Sequence, residues 1–149
     1  MRPILRRHRS PDEGRTGRIV TSVTVGNIIE AGREVRCDAL VDTGAYCLTL
    51  PAVWKERLGA LPMSRVVEAE MADHHVVQGE ICGPVRIRID AFDAIAGEVL
   101  FLEMAPEDGL YEPLIGYITL EQSRLVVDMV GHRLVRLPHV DLKRVRRVA

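Results

Sequence analysis

A strict two-residue alternation constrains this chain more than any other feature. In Val85-Arg86-Ile87-Arg88-Ile89, β-branched aliphatic residues take every second position and arginines take the others. Successive side chains on a strand point to opposite faces, so the pattern specifies a strand with one buried face and one wet face. Similar runs recur. Residues 19–25 alternate β-branched residues and stop at Gly26-Asn27. Residues 35–41, 48–50, 65–71, 76–81 and 98–102 read as further strands, with 85–90 as the clearest of them. Many short strands separated by turn residues give a mainly β domain.

The period changes in two places. Thr49 can cap a helix, Pro51 suits a first helical turn, and Val53, Trp54, Arg57 and Leu58 follow at helical spacing up to Gly59. Trp54 and Leu58 share a face, which predicts that this face covers the core. A second short helical turn is expected near Ile118–Gln122, after Pro113-Leu114-Ile115-Gly116. The strand Leu125–Asp128 then turns through Val130-Gly131-His132 into Leu134–Leu137, and Asp128 reads as a turn residue.

The chain has 149 residues, enough for one domain with a real core. With aromatics at only 4%, that core must be aliphatic. The reading is one domain over 19–137, with a flexible basic arm at 1–18 and a basic tail at 138–149. A net charge of −1 gives no reason to expect a nucleic-acid partner, and the clustered terminal arginines read as solvated ends. No apolar run approaches the roughly 20 residues of a membrane helix, so no membrane partner is expected. Cys37, Cys47 and Cys82 are odd in number and lack CxxC spacing. They read as core fillers in a reducing, cytoplasmic setting. His74-His75 has no cysteine at zinc-binding spacing, so neither metal nor cofactor is expected.

One residue demands a chemical account. Asp42 ends the apolar run Ala39-Leu40-Val41 and opens Asp42-Thr43-Gly44, a triplet that occurs once in the chain and is followed by Ala45. A carboxylate at the end of a buried strand is costly unless something uses or neutralises it. By itself an Asp-Thr-Gly triplet reads as a turn. Two such aspartates across a two-fold axis cannot easily both ionise, and they share one proton. The neutral member can protonate a carbonyl oxygen while the ionised member takes a proton from water, which is general acid–base hydrolysis of an amide.

Leu40-Val41-Asp42-Thr43-Gly44-Ala45 resembles the active-site loop of retropepsin-like aspartic proteases, of the bacterial type. Leu114-Ile115-Gly116 before a short helix resembles that family's apolar-apolar-Gly element, and residues 49–59 resemble the helix that bacterial members place after the loop. Leu125-Val126-Val127-Asp128 and its hairpin fit the family's C-terminal region, so the resemblance spans about 19–137 in order. It implies an acid-protease β-barrel half with one or two short helices, working as a two-fold homodimer on a peptide or protein substrate. It implies Asp42 as the catalytic aspartate of each subunit, Thr43 as a grip between subunits, and Gly44 with Ala45 against substrate backbone. Ala72, Asp73 and His74, within Met71–His75, would belong to a flap over the cleft. Leu114, Ile115 and Gly116 would support the loop from behind. Two positions depart from the retroviral members, which pair an acidic residue with an arginine where this chain has Tyr46 and Tyr117. Different local packing is expected there. The flap segment also lacks the glycines of retroviral flaps. A dimerisation or peptide-binding module without turnover is the alternative reading, because a fold does not guarantee activity.

Overall fold

The computed structural model describes residues 17–138. The basic arm and tail therefore lie outside the described residues, apart from Gly17, Arg18 and Pro138. In chain order the elements are β1 (Val20–Asn27), β2 (Glu34–Val41), β3 (Leu48–Pro51) and a 3-10 helix (Ala52–Leu58). Then come β4 (Met63–Glu70), β5 (Val76–Ile89), β6 (Ile95–Leu102) and β7 (Leu114–Ile115). Helix α1 (Tyr117–Gln122) leads to β8 (Leu125–Asp128) and β9 (Arg133–Arg136). The protein is mainly β, as the alternating runs require.

Seven strands form one mixed sheet in the order β1-β2-β7-β3-β6-β5-β4, and β8-β9 form a separate hairpin. β1 also pairs with β5, so the sheet curls until its strand order nearly closes on itself. Two pairings are parallel, β2 with β7 and β3 with β6, and the rest of the sheet is antiparallel. The inward face of the curl holds the core. Val23 and Val25 of β1, Val35 and Cys37 of β2, Leu48 and Leu50 of β3, Val85, Ile87 and Ile89 of β5, and Val99 of β6 are all buried. Each aliphatic side chain of this kind contributes about 1.5–3 kcal/mol when withdrawn from water, so the alternation is also the energetic basis of the sheet.

Three local expectations need correction. The segments 76–81 and 85–90 are one strand, β5. Gly83-Pro84 looks like a break in sequence, yet the pairing with β6 merely shifts register between Cys82 and Val85 and continues. The helix after β3 is a 3-10 helix, seven residues long, and Thr49 does not cap it. Thr49 lies within β3, buried, with its hydroxyl donating to Cys47 O at 3.0 Å. Pro51 takes the cap position without a side-chain bond. The stop at Gly59 does have the expected left-handed φ of 71°.

Trp54 is buried and packs edge-on against Tyr111, with ring centroids 5.8 Å apart. Arg57 lies over the Trp54 ring at 5.4 Å. The 3-10 helix thus covers one end of the core, as its Trp54–Leu58 face predicted. Asn27 fixes its position. The Asn27 amide donates to Leu58 O at 2.7 Å and to Ala60 O at 2.9 Å, and its oxygen accepts from the backbone N–H groups of Ile29 and Glu30. A buried amide with all these bonds made is cheap, whereas each lost one costs roughly 1–3 kcal/mol. All three cysteines are free and buried. No helix among the described residues is long and apolar enough to cross a membrane.

Candidate active site

The Asp42 loop is the link between β2 and β3, and β7 lies between those two strands. Leu40 and Val41 pair in parallel with Leu114 and Ile115. Thr49 of β3 pairs with Leu114 from the other side. A two-residue strand from far along the chain therefore wedges the loop open at its base. The Asp42 N–H donates to Ile115 O at 2.9 Å, which carries the ladder one residue beyond β2. The chain then turns, with Ala45 N–H donating to Asp42 O at 3.1 Å.

Gly116 explains how the loop comes so close. A Cβ on Gly116 would sit 2.4 Å from Cys47 N, 2.6 Å from Ala45 O and 2.6 Å from the Tyr46 carbonyl carbon. All three are backbone atoms, so no side-chain adjustment relieves the clash. Beyond Gly116, the first N–H groups of α1 have no partner in their own helix. Tyr117 N–H donates to Ala45 O at 2.9 Å and Ile118 N–H donates to Tyr46 O at 3.0 Å. The start of α1 is therefore satisfied by the loop, and the loop is clamped by α1. Thr119 adds a third tie: its hydroxyl oxygen accepts from Leu48 N–H at 2.8 Å inside the protein. Thr119 has no sequence signal beyond its position on the inner face of α1 beside Leu120. It is the supporting residue that the sequence does not reveal.

Two aspartates end apolar strands, and their partners separate them. Asp128 is fully engaged in its own turn. Its Oδ1 accepts from Val130 N–H at 3.1 Å and Gly131 N–H at 2.9 Å, and its Oδ2 accepts from Arg133 Nε at 3.1 Å. The Gly131 N–H, then the Arg133 guanidinium, hold its carboxyl below the ordinary carboxylate value. Asp42 makes one side-chain bond: Oδ1 accepts from Gly44 N–H at 2.9 Å. Among the described residues its other oxygen has no partner, and no Arg, Lys or His comes within ion-pair distance. Asp42 is half-buried, while Thr43 and Gly44 are exposed. A half-buried carboxylate held through one oxygen, with the other unpartnered among the described residues, can meet a group from outside the chain.

The structure brings Asp42, Thr43, Gly44 and Ala45 together with Leu114, Ile115 and Gly116. It places Ala72, Asp73 and His74 elsewhere, at the tip of the β4–β5 hairpin, where residues 71–76 are all exposed. The tip is closed by its own bonds. His75 O accepts from Met71 N–H at 2.8 Å, Met71 O from His74 N–H at 2.9 Å, and Asp73 Oδ1 from His75 N–H at 3.0 Å. His74 adopts a left-handed φ of 64°, and its Nδ1 lies 2.8 Å from Glu70 Oε1. Among the described residues, no hydrogen bond or ion pair joins this tip to the Asp42 loop.

Tyr46 and Tyr117 pack edge to face, ring centroids 5.9 Å apart, where an ion pair was the alternative chemistry. The aromatic pair links the loop to the first residue of α1. Burial pushes the Cys47 thiol, close behind the loop, up to about 11. It is therefore a protonated core residue and no nucleophile. Among the described residues, no group of three or more His, Cys, Asp or Glu side chains is placed to hold a metal ion. No family model matches the chain, and no curated protein matches it.

Proposed function

We propose that the protein is an aspartic endopeptidase that works as a homodimer, with one Asp42 from each subunit. The observation that carries this reading is the Asp42 carboxylate, fixed through one oxygen, free at the other, and braced by the Leu114-Ile115-Gly116 element. The same ordered motifs carry the retropepsin-like resemblance, and a curled sheet with a projecting hairpin is compatible with that fold. One chain supplies one carboxylate, so the chemistry requires a second copy.

In the dimer the two Asp42 carboxyls share one proton across a bound water. The ionised member removes a proton from the water as its oxygen attacks the peptide carbonyl carbon, and the neutral member protonates the carbonyl oxygen. The protonated carboxyl then gives its proton to the amide nitrogen while the other carboxylate takes one from a hydroxyl of the tetrahedral intermediate, so the C–N bond breaks to release acid and amine and the pair again holds one proton. Thr43 hydroxyls bond across the axis. Gly44, without a Cβ, lets substrate backbone approach in extended form between the loop and the β4–β5 hairpin.

The test is cleavage of a peptide library by the purified chain at mildly acidic to neutral pH. Asp42→Asn should lower turnover by a factor on the order of 10^3 or more, because it removes the general acid and base together. Cleavage that survives Asp42→Asn, or a strictly monomeric active species, would sink the reading. The self-bonded, glycine-free tip at Met71–His75 favours a second reading, a dimeric peptide-binding module without turnover. That module would bind peptide without hydrolysis and ignore statine-type transition-state mimics, whereas the enzyme binds them tightly.

A further inference from the structure

The alternation that builds the core also builds its opposite face, where β1 runs between β2 and β5. Register places Arg36, Thr24 and Arg88 in one row across the three strands. Glu34, Gly26 and Arg86 form the next row. Three arginines thus converge around a threonine and a glycine, with one carboxylate among them. Asp38, opposite Ser22, bounds the patch at the following row.

The pairing within the patch is loose. Glu34 lies 3.6 Å from Arg36 Nε and 3.6 Å from Arg86 Nη2, longer than a charge-assisted hydrogen bond. Arg88 donates Nε to Phe92 O at 3.2 Å, which holds the guanidinium and leaves its terminal nitrogens available. It meets no carboxylate within ion-pair distance among the described residues. Asp93, on the rim, is engaged by Arg136 at 2.9 Å. The small residues between the arginines leave two adjoining grooves. One, over Thr24, Arg36 and Arg88, has about 260 Å3. The other, over Gly26 and Arg86, has about 330 Å3. Glu34, Arg86 and Ala94 belong to both. The guanidinium of Arg86 crosses Gly26, lying 3.4 Å from where a Cβ would stand.

We propose that this face binds a compact phosphate chain, as inorganic polyphosphate or as the phosphate tail of a nucleotide. Arginine forks match phosphate oxygens in pairs, and Arg36 and Arg88, two strands apart across Thr24, flank the space that an anion lying over β1 would occupy. The two rows lie about 6.8 Å apart along the strands, which suits a chain of phosphates better than a single one. An extended acidic peptide has less to gain here. Along the patch β1 is paired on both sides, by β2 and by β5, so the strand at its centre offers no main-chain hydrogen bonds.

The test is calorimetric titration of the full-length protein with sodium tripolyphosphate, ATP, orthophosphate and a glutamate-rich peptide of equal charge, at about 0.1 M salt. Tripolyphosphate should bind more tightly than orthophosphate or the peptide. Comparable affinity for ATP assigns the site to nucleotide tails, and markedly weaker ATP binding assigns it to inorganic polyphosphate. Arg36→Gln with Arg88→Gln should weaken binding on the order of tenfold or more, with an unchanged thermal midpoint showing an intact fold. Glu34→Gln, which removes the competing carboxylate, should tighten it. Arg144→Gln, Arg146→Gln and Arg147→Gln together, in the basic tail, should leave it in place. No tripolyphosphate binding, equal affinity in the Arg36/Arg88 variant, loss in the tail variant, or a peptide that binds as tightly would each overturn the proposal. These readouts are independent of peptide cleavage.

Discussion

Gly116 and Gly44 lie on either side of the Asp42 loop, and they need glycine for different reasons. At Gly116 three backbone atoms stand within 2.6 Å of a would-be Cβ. Gly116→Ala must therefore displace the loop or α1, and overpacking of this kind costs about 1–3 kcal/mol. A lower urea midpoint together with loss of peptide cleavage is the expected result. At Gly44 the one neighbour of a would-be Cβ is Asp42 Oδ1, at 3.1 Å. Gly44→Ala should unfold at nearly the wild-type midpoint and yet cleave poorly, since its methyl group would press on the Asp42 carboxylate. The pair of variants separates bracing of the loop from disturbance of the carboxylate itself. The cysteines give a third residue-level expectation. Burial, reinforced by the Asp38 charge, pushes the Cys37 thiol up to about 12, and burial pushes Cys47 up to about 11, against an ordinary 9.0. Well below pH 9 these thiols are protonated in both folded and unfolded chains and add no pH dependence. Above it the unfolded chain loses protons that the folded one keeps, so stability falls as pH rises from 9 toward 11. Urea midpoints across that range check the slope, and native thiols should resist alkylation until the chain unfolds. Asp42 was legible in the sequence because its chemistry conflicts with its apolar neighbours. Thr119 was not, because a buried hydroxyl that satisfies one backbone N–H looks like any helical threonine.

At the scale of elements, the 3-10 helix shows how a side chain substitutes for secondary structure. Asn27 holds the helix end through Leu58 O and Ala60 O, across the boundary between β1 and the core. Asn27→Ala leaves those carbonyls without their donor, and the expected loss of unfolding free energy is roughly 2–4 kcal/mol. Asn27→Asp should destabilise more, because it turns a donor into a charge facing two carbonyl oxygens. Chemical denaturation of the three proteins side by side tests the order. The β8–β9 hairpin rests on Asp128 instead, whose carboxylate is spent within its own turn. The strands were readable wherever one face is buried, as at 85–89. β5 was read as two strands because Gly83-Pro84 carries a break signal, and the sheet overrides it with a register shift. The 3-10 character of 52–58 was unreadable for a similar reason. The four-residue spacing of Trp54 and Leu58 is that of an α-helical face, whereas in a 3-10 helix the two lie about 120° apart, and both are buried because the short helix sits over the end of the core.

For the whole molecule, the curl of the sheet is what unites the site. Strands β2, β7 and β3 are neighbours in space although β7 comes more than sixty residues after β3 in the chain. Local patterns show which segments are strands, but the order of strands depends on long-range pairing that no window of sequence contains. The parallel pairing of Leu40–Val41 with Leu114–Ile115 is the physical contact between two motifs that lie far apart in the chain. Each chain offers a single free carboxylate at this loop, so the central claim is that activity belongs to the pair and not to the chain. Subunit mixing tests this directly. Wild-type protein is equilibrated with a threefold excess of Asp42→Asn protein, and cleavage is measured per wild-type chain. Random pairing leaves a wild-type chain with a wild-type partner about a quarter of the time, so specific activity should fall to roughly a quarter of its unmixed value. Activity per wild-type chain that stays constant across all mixing ratios would contradict the account.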